Sequence, residues 1–143
     1  MSKALIFVRN PGTQAVALNG TINPGAIVRR FGNKCCNTPI INLNGDGITI
    51  ADDSNSSGYG YYKVNVDVTV APTAAGPVTV ALLQDGVVVF TKTGTAGAAD
   101  AATPLSMASP VVRVRGNSAS TLTLQLIAGP GNVSEVGVSV EKV

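Results

Sequence analysis

The sequence predicts an all-β protein, an antiparallel jelly-roll sandwich of about ten strands. Three observations predict it. Apolar residues make up 45% of the 143-residue chain, and they are mostly Val and Ala, with no Trp and few aromatics. Val and Thr are stiff at the first side-chain torsion and suit a pleated surface better than a helix. Sixteen Gly and eight Pro break the chain into short apolar runs, and turn signals at roughly 8–12-residue intervals are the spacing of a sandwich or barrel. The best-patterned run alternates with a period of two, and no segment holds a helical period.

Taken in order, "ALIFV" (4–8) is a first strand that stops at Asn10-Pro11-Gly12, and "TQAVAL" (13–18) stops at Asn19-Gly20. Asn23-Pro24-Gly25 precedes "AIVRRF" (26–31), and "PIINL" and "GITIA" flank Asn44-Gly45-Asp46-Gly47. Asn-Gly and Asp-Gly readily take the positive φ angles of tight hairpins, so this is a hairpin signal. In "YYKVNVDVTV" (61–70), Tyr62, Val64, Val66, Val68 and Val70 share one face, and Tyr61, Lys63, Asn65, Asp67 and Thr69 share the other. That strict alternation puts the valine face in the core. "PVTVALLQ" and "VVVFTKT" flank Asp85-Gly86 as a second hairpin. "PVVRVR" (110–115), "STLTLQLI" (120–127) and "NVSEVGVSVEKV" (132–143) follow, the last with Val136, Val138 and Val140 inward. The Ala-rich "TAGAADAA" (95–102) is short and bracketed by Gly and Pro, so no helix is expected there.

A chain of this length is most simply one domain, residues 1–143, burying roughly two-thirds of its unfolded surface. Only 13% of its residues are charged, about half the usual share, so much of the surface is neutral or covered by partners. No apolar run approaches the ~20 residues of a membrane span, and the apolar stretch after Lys3 is too short for a secretory leader. Synthesis in a cytoplasm is expected. Residues 1–45 carry Lys3, Arg9, Arg29, Arg30 and Lys34 without an acid, whereas the remainder carries five bases and eight acids. A basic N-terminal segment (1–57) suits an acidic partner surface, but it lacks the dense Lys/Arg clusters of a nucleic-acid site.

Chemistry is sparse. The absence of histidine removes the commonest general base, the usual triads and most zinc sites. The adjacent Cys35 and Cys36 lack the spacer that lets two sulfurs converge on zinc, and a disulfide between neighbours is strained. They read as free thiols, or as one thiol meeting a symmetry mate near an axis. Asn42, Asn44, Asp46, Gly47 and Asp53 fall at offsets like those of a calcium loop. The first position is Asn where a carboxylate is wanted, the last is Asp where Glu is wanted, and both flanks read as strand. Turn chemistry accounts for each of these residues, and no metal or cofactor is expected. The pair Asp52–Asp53 lies in a Ser/Asn/Gly-rich loop and is expected to be solvated, which leaves no facing carboxylates for glycoside hydrolysis. With no nucleophile elbow or phosphate-cradling loop either, the chain is not expected to be an enzyme. The cluster "GYGYY" either caps the core at a strand start or anchors an interface, since Tyr buries a large area at low entropic cost.

From Gly58 on, "GYGYYKVNVDVTV" resembles the central aromatic-led strand of the tumour-necrosis-factor and complement-globular-head superfamily. "VTVALLQDGVVV" resembles that family's paired strands, and "STLTLQL" and "GVSVEKV" its last two, over residues 58–143. Nearly the whole chain is similar to head-decoration or head-fibre proteins of tailed bacteriophages. The likeness rests on "NGTINPGAIVRRFG" (19–32), "GYYKVNVDVTVAPTAAGPVTV", "QDGVVV" and "VGVSVEKV". It implies a homotrimeric jelly roll on the outer capsid surface of a virion, made in the bacterial host's cytoplasm. "NKCCN" stands earlier than that pattern would place a cysteine cluster, so no role for Cys35 or Cys36 is carried over. The low-charge faces and exposed edges of such a domain fit closed symmetric assembly. Tyr59 and Tyr61, with Lys63, Asn65 and Asp67 in the same phase, are candidates for the trimer interface, while Tyr62 should enter the core. Arg9, Arg29, Arg30 and Lys34 are candidates for docking on the major capsid protein. A second reading makes the Asn/Ser/Gly-rich loops 51–60 and 116–120 a binding site for host-surface glycans.

Overall fold

Strand periodicity in the sequence becomes two facing antiparallel sheets in a computed structural model, which describes residues 3–34, 38–53 and 58–143. The strands run β1 (Leu5–Asn10), β2 (Gln14–Val16), β3 (Gly20–Ile22), β4 (Ala26–Phe31), β5 (Ile41–Asn44), β6 (Gly47–Ala51) and β7 (Tyr59–Pro72). They continue with β8 (Gly76–Gln84), β9 (Val87–Ala96), β10 (Thr103–Ala108), β11 (Val112–Arg115), β12 (Ala119–Ala128) and β13 (Gly131–Lys142). Sheet A has the order β10–β7–β13–β1–β4, with β11 following β10 along β7 and β2 beside β13. Sheet B has the order β5–β6–β12–β8–β9, with β3 also on β12. The described residues contain no helix, and hence none long and apolar enough to cross a membrane.

The core is the space between the sheets. β7 turns Tyr62, Val64, Val66, Val68 and Val70 inward, each at 2% exposure or less, as its alternation dictates. β13 lies against it in register, with Val140 opposite Val64 and Val138 opposite Val66. Sheet B answers with Ile48, Ile50, Val78, Val80, Leu122, Leu124 and Leu126, all buried. Val133 and Val136 are both fully buried although three residues apart. A bulge between Ser134 and Gly137 absorbs the extra residue, with Glu135 at φ 53°, which is how a strand shifts its phase without leaving the sheet. Both predicted hairpins form. Asp85 and Gly86 carry φ 52° and 83°, the paired positive angles of a type I′ turn, and Gly45-Asp46 joins β5 to β6.

The structure has more strands than the ten expected. The run 13–18 gives the short strand β2, and after the turn at Asn19 (φ 63°) the chain forms a further short strand, β3, so that β2 pairs with β13 and β3 with β12. β10 was not expected from the sequence. "TPLSMA" has Pro and Ser on its outer face, and such residues are tolerated because the strand lies at a sheet edge. Strand β4 forms as expected, but all six of its residues are exposed. It is held at the margin of β1 by Gly25 and Gly32 (φ 95° and 101°), where a Cβ would lie 2.1 Å from the Arg9 carbonyl oxygen and 2.4 Å from that of Lys3.

Candidate interaction surface and a buried ion cluster

The pleat that buries the valines of β7 puts Tyr59, Tyr61, Lys63, Asn65 and Asp67 together on the outer face of sheet A, and all five are exposed. The tyrosines are 43% and 47% exposed. Beside them, β11 sets Arg113 opposite Tyr61 and Arg115 opposite Tyr59, and the Arg113 guanidinium lies 4.4 Å from the centre of the Tyr59 ring. That contact is worth about 0.5–1 kcal/mol at an exposed site and holds the ring in place. Across the sheet, β13 offers Glu141 opposite Lys63, then Ser139 and Gly137 opposite Asn65 and Asp67. The Ser106 hydroxyl on β10 donates to Asp67 at 2.5 Å. Phe7 of β1 settles beside Gly137, the one position on this row without a side chain. The result is an aromatic and arginine-rich patch at one end of a shallow face of small and polar residues.

The four basic candidates are not brought together. Arg9 extends from β1 and pairs with Glu135 at 3.1 Å on the surface, a contact worth about 0–1 kcal/mol. Arg29 pairs in register with the outward Phe7, whereas Arg30 pairs with the inward Ile6, so the two arginines leave opposite faces of β4. Arg30 donates to Asn42 on β5. Lys34 follows β4, its backbone N–H donating to the Thr38 carbonyl at 2.7 Å. The residues with calcium-like spacing are likewise dispersed. Asn42 accepts from Arg30, Asn44 donates to Thr49 at 3.0 Å, Asp46 sits exposed in the β5–β6 turn, and Asp53 pairs with Lys142. Cys35 and Cys36 lie outside the described residues, as do residues 54–57 of the loop 51–60.

Asp52 and Asp53 correct the sequence reading. They are not solvated: Asp52 is fully buried and the Asp53 side chain is 18% exposed. The loop after β6 carries them under the start of β7 and the end of β13. There the Tyr62 hydroxyl donates to Asp52 Oδ1 at 2.5 Å, and Lys142 Nζ lies 3.2 Å from the same oxygen while also donating to Asp53. Gly60 makes room for this, since a Cβ there would fall 1.8 Å from Asp52 Oδ1. In a chain so poor in charge, two carboxylates and one ammonium are thus gathered in the interior. Nothing local in the sequence announces it, because Lys142 lies far along the chain from Asp52 and Asp53.

The cluster shifts its members' titration. Burial, then the hydrogen bond to Asp52 and the charges of Asp52 and Asp53, push the Tyr62 hydroxyl well above the ordinary phenol value of 10.0. For Lys142, burial alone acts downward, but the hydrogen bonds and charges of Asp53 and Asp52 outweigh it and hold the ammonium above its ordinary 10.5. A folded-state value above the unfolded one means that the stability is fully present below the unfolded value and is lost as pH rises through the folded one. The melting temperature should therefore stay level up to about pH 10, where the unfolded phenol begins to ionise, and fall above it. Each such group contributes about 1.4 kcal/mol per pH unit. Thermal denaturation across alkaline pH checks this; in Tyr62→Phe the alkaline slope should shrink, and an unchanged slope would contradict the assignment.

Comparison with known proteins bears on the fold. No protein-family model and no curated protein matches the sequence. Solved structures match over almost the whole chain. Murine APRIL superposes with a TM-score of 0.68 at 12% identity, covering 99% of both chains. An Eiger TNF from S. frugiperda gives 0.67 at 11% identity, covering 99% of this chain and 91% of its own. The PRD1 vertex protein P5 gives 0.59 at 13%, covering 99% and 96%. The fold is a tumour-necrosis-factor-like jelly roll. The resemblance seen in "GYGYYKVNVDVTV" is thereby confirmed for the fold, and globular complement domains share it as well.

Within this jelly roll the two ends differ. The end bearing Tyr59, Tyr61, Arg113, Arg115 and the buried cluster is rich in charge. The opposite end has an open groove of about 390 Å³ lined by Ala15, Val16, Ala71, Thr73, Asp100 and Pro130. Its backbone is closed by Thr73 N–H to the Pro130 carbonyl at 3.0 Å and Asp100 N–H to the Pro72 carbonyl at 2.7 Å. Small side chains and a single carboxylate give this groove no acid–base pair.

Proposed function

We propose that this chain is a structural, non-enzymatic protein of a bacteriophage virion, a homotrimeric decoration or head-fibre protein bound to the outside of the capsid. The observation that carries this reading is the outer face of sheet A, where Tyr59 and Tyr61 stand exposed beside Arg113 and Arg115. Tyr and Arg are the residues most enriched at the centres of protein interfaces. A closed ring needs two different patches on each protomer, and the opposite margin of the sheet supplies the second. Strand β4 exposes Ile27, Val28 and Phe31 and, among the described residues, has no strand on its outer side, an edge that proteins normally cover. The resemblance read from the sequence, and the likeness of fold to the PRD1 vertex protein P5, support the virion setting.

Docking on the shell then falls to the basic N-terminal residues, of which Arg29 and Arg30 flank the apolar positions of β4. Arg29 and Arg30 together face both sides of β4, so reversing their charge presents repulsion to an acidic capsid surface whichever side meets it. Shells lacking the protein should load Arg29→Glu/Arg30→Glu at least about tenfold more weakly than wild type, on the order of 0.7–1.4 kcal/mol per exposed charge reversed. Co-sedimentation with such shells measures it, and undiminished loading would count against these residues as the docking site.

A further inference from the structure

We propose that Lys142 and Asp52 condense into an intramolecular amide that locks the C-terminal end of β13 to the loop after β6. Four groups converge at one interior point. The Lys142 amine, its side chain 7% exposed, lies 3.2 Å from Asp52 Oδ1. The same Oδ1 accepts the Tyr62 hydroxyl at 2.5 Å. A second carboxylate, Asp53, also accepts from the Lys142 amine and is the less buried of the pair. Nucleophile, electrophilic carboxyl, hydroxyl donor and proton carrier are thus held in mutual contact, with Gly60 leaving the carboxyl the space it occupies.

The reaction is a dehydration and needs no oxidant. Starting from the ion pair, one proton passes from Nζ to the Asp52 oxygen not bonded to Tyr62, which gives the neutral pair; burial lowers the cost of this exchange because it penalises both charges, against the pull of the two carboxylates on the ammonium. The amine lone pair attacks Asp52 Cγ and a C–N bond forms. The negative charge developing on Oδ1 is met by the Tyr62 hydroxyl, in the manner of an oxyanion hole. Asp53 accepts a second proton from nitrogen and delivers it to the other Asp52 oxygen, which leaves as water when its C–O bond breaks. Ammonium and carboxylate become amide and water, with no change in net charge. The product closes residues 52–142 into a covalent ring, so the last strand cannot peel from sheet A. It does so by chemistry available in a reducing cytoplasm, where a disulfide is not.

Intact-mass measurement of the purified full chain tests this. The expected mass is one water below that of the sequence, with a branched peptide joining Lys142 to Asp52 found by tandem fragmentation after digestion. Asp-Gly sequences such as Asp46-Gly47 and Asp85-Gly86 also lose water by cyclising, so the branched peptide, which does not depend on any variant folding, is the deciding readout. Lys142→Met should show the full mass, and Asp53→Asn should slow formation by roughly 100-fold. An unmodified wild-type mass, or water loss with no Lys142–Asp52 peptide, overturns the proposal; an Asp53→Asn rate equal to wild type overturns the role given to Asp53.

Discussion

Replacing Lys142 with methionine should destabilise the fold by about 3–5 kcal/mol, the cost of removing one partner from a buried ion pair. For a chain of this size that is a drop of roughly 10–15 °C in melting temperature. Lys142 contacts both carboxylates of the cluster, one fully buried; methionine keeps the length of the side chain and removes the charge. Two neighbouring carboxylates, one of them fully buried, then lose that ammonium. Converting Asp52 and Asp53 to Asn in the same chain should recover a large part of the loss, because the repulsion goes with the charges. Chemical denaturation of the single and triple variants measures both effects. A single-variant loss under about 1 kcal/mol would place the pair among weak surface contacts and contradict the burial described above.

The second large effect concerns assembly. Tyr59→Glu together with Tyr61→Glu should convert the protein to monomers. Central interface tyrosines cost about 2 kcal/mol or more each when lost, so the pair should weaken association on the order of 1,000-fold. The monomer itself should remain folded. Both positions are outward on β7, and the arginines opposite them, Arg113 and Arg115, offer the new carboxylates partners within the same chain. Sedimentation analysis with circular dichroism separates the two outcomes: an intact β spectrum with lost self-association supports the interface, and an intact oligomer refutes it.

The fold was legible wherever local pattern determined it. Val64 to Val70 alternate so strictly that both the burial of Tyr62 and the exposure of Tyr59 and Tyr61 followed from phase alone. Asp85-Gly86 and Gly45-Asp46 announced their hairpins by turn chemistry. β10 was illegible because its outward Pro104, Ser106 and Ala108 suit an edge, and edge position is a property of the whole sheet. The exposure of β4 was hidden for the same reason, since "AIVRRF" reads as a strand but its place at the margin is set by the whole sheet. The buried cluster was furthest from view. Asp52 and Asp53 carry every local mark of a solvated loop, and only the pairing of β13 with β7, which sets Lys142 opposite Tyr62, delivers their cation.

These features converge on a protein whose chemistry is cohesive: a charge-poor sandwich tied internally at one end and exposing an aromatic face beside that tie. Native mass spectrometry of the wild-type chain at micromolar concentration tests the central claim most directly. The predicted result is a dominant species with the mass of three chains, lost in Tyr59→Glu/Tyr61→Glu; a wild-type protein that remains a stable monomer would contradict it.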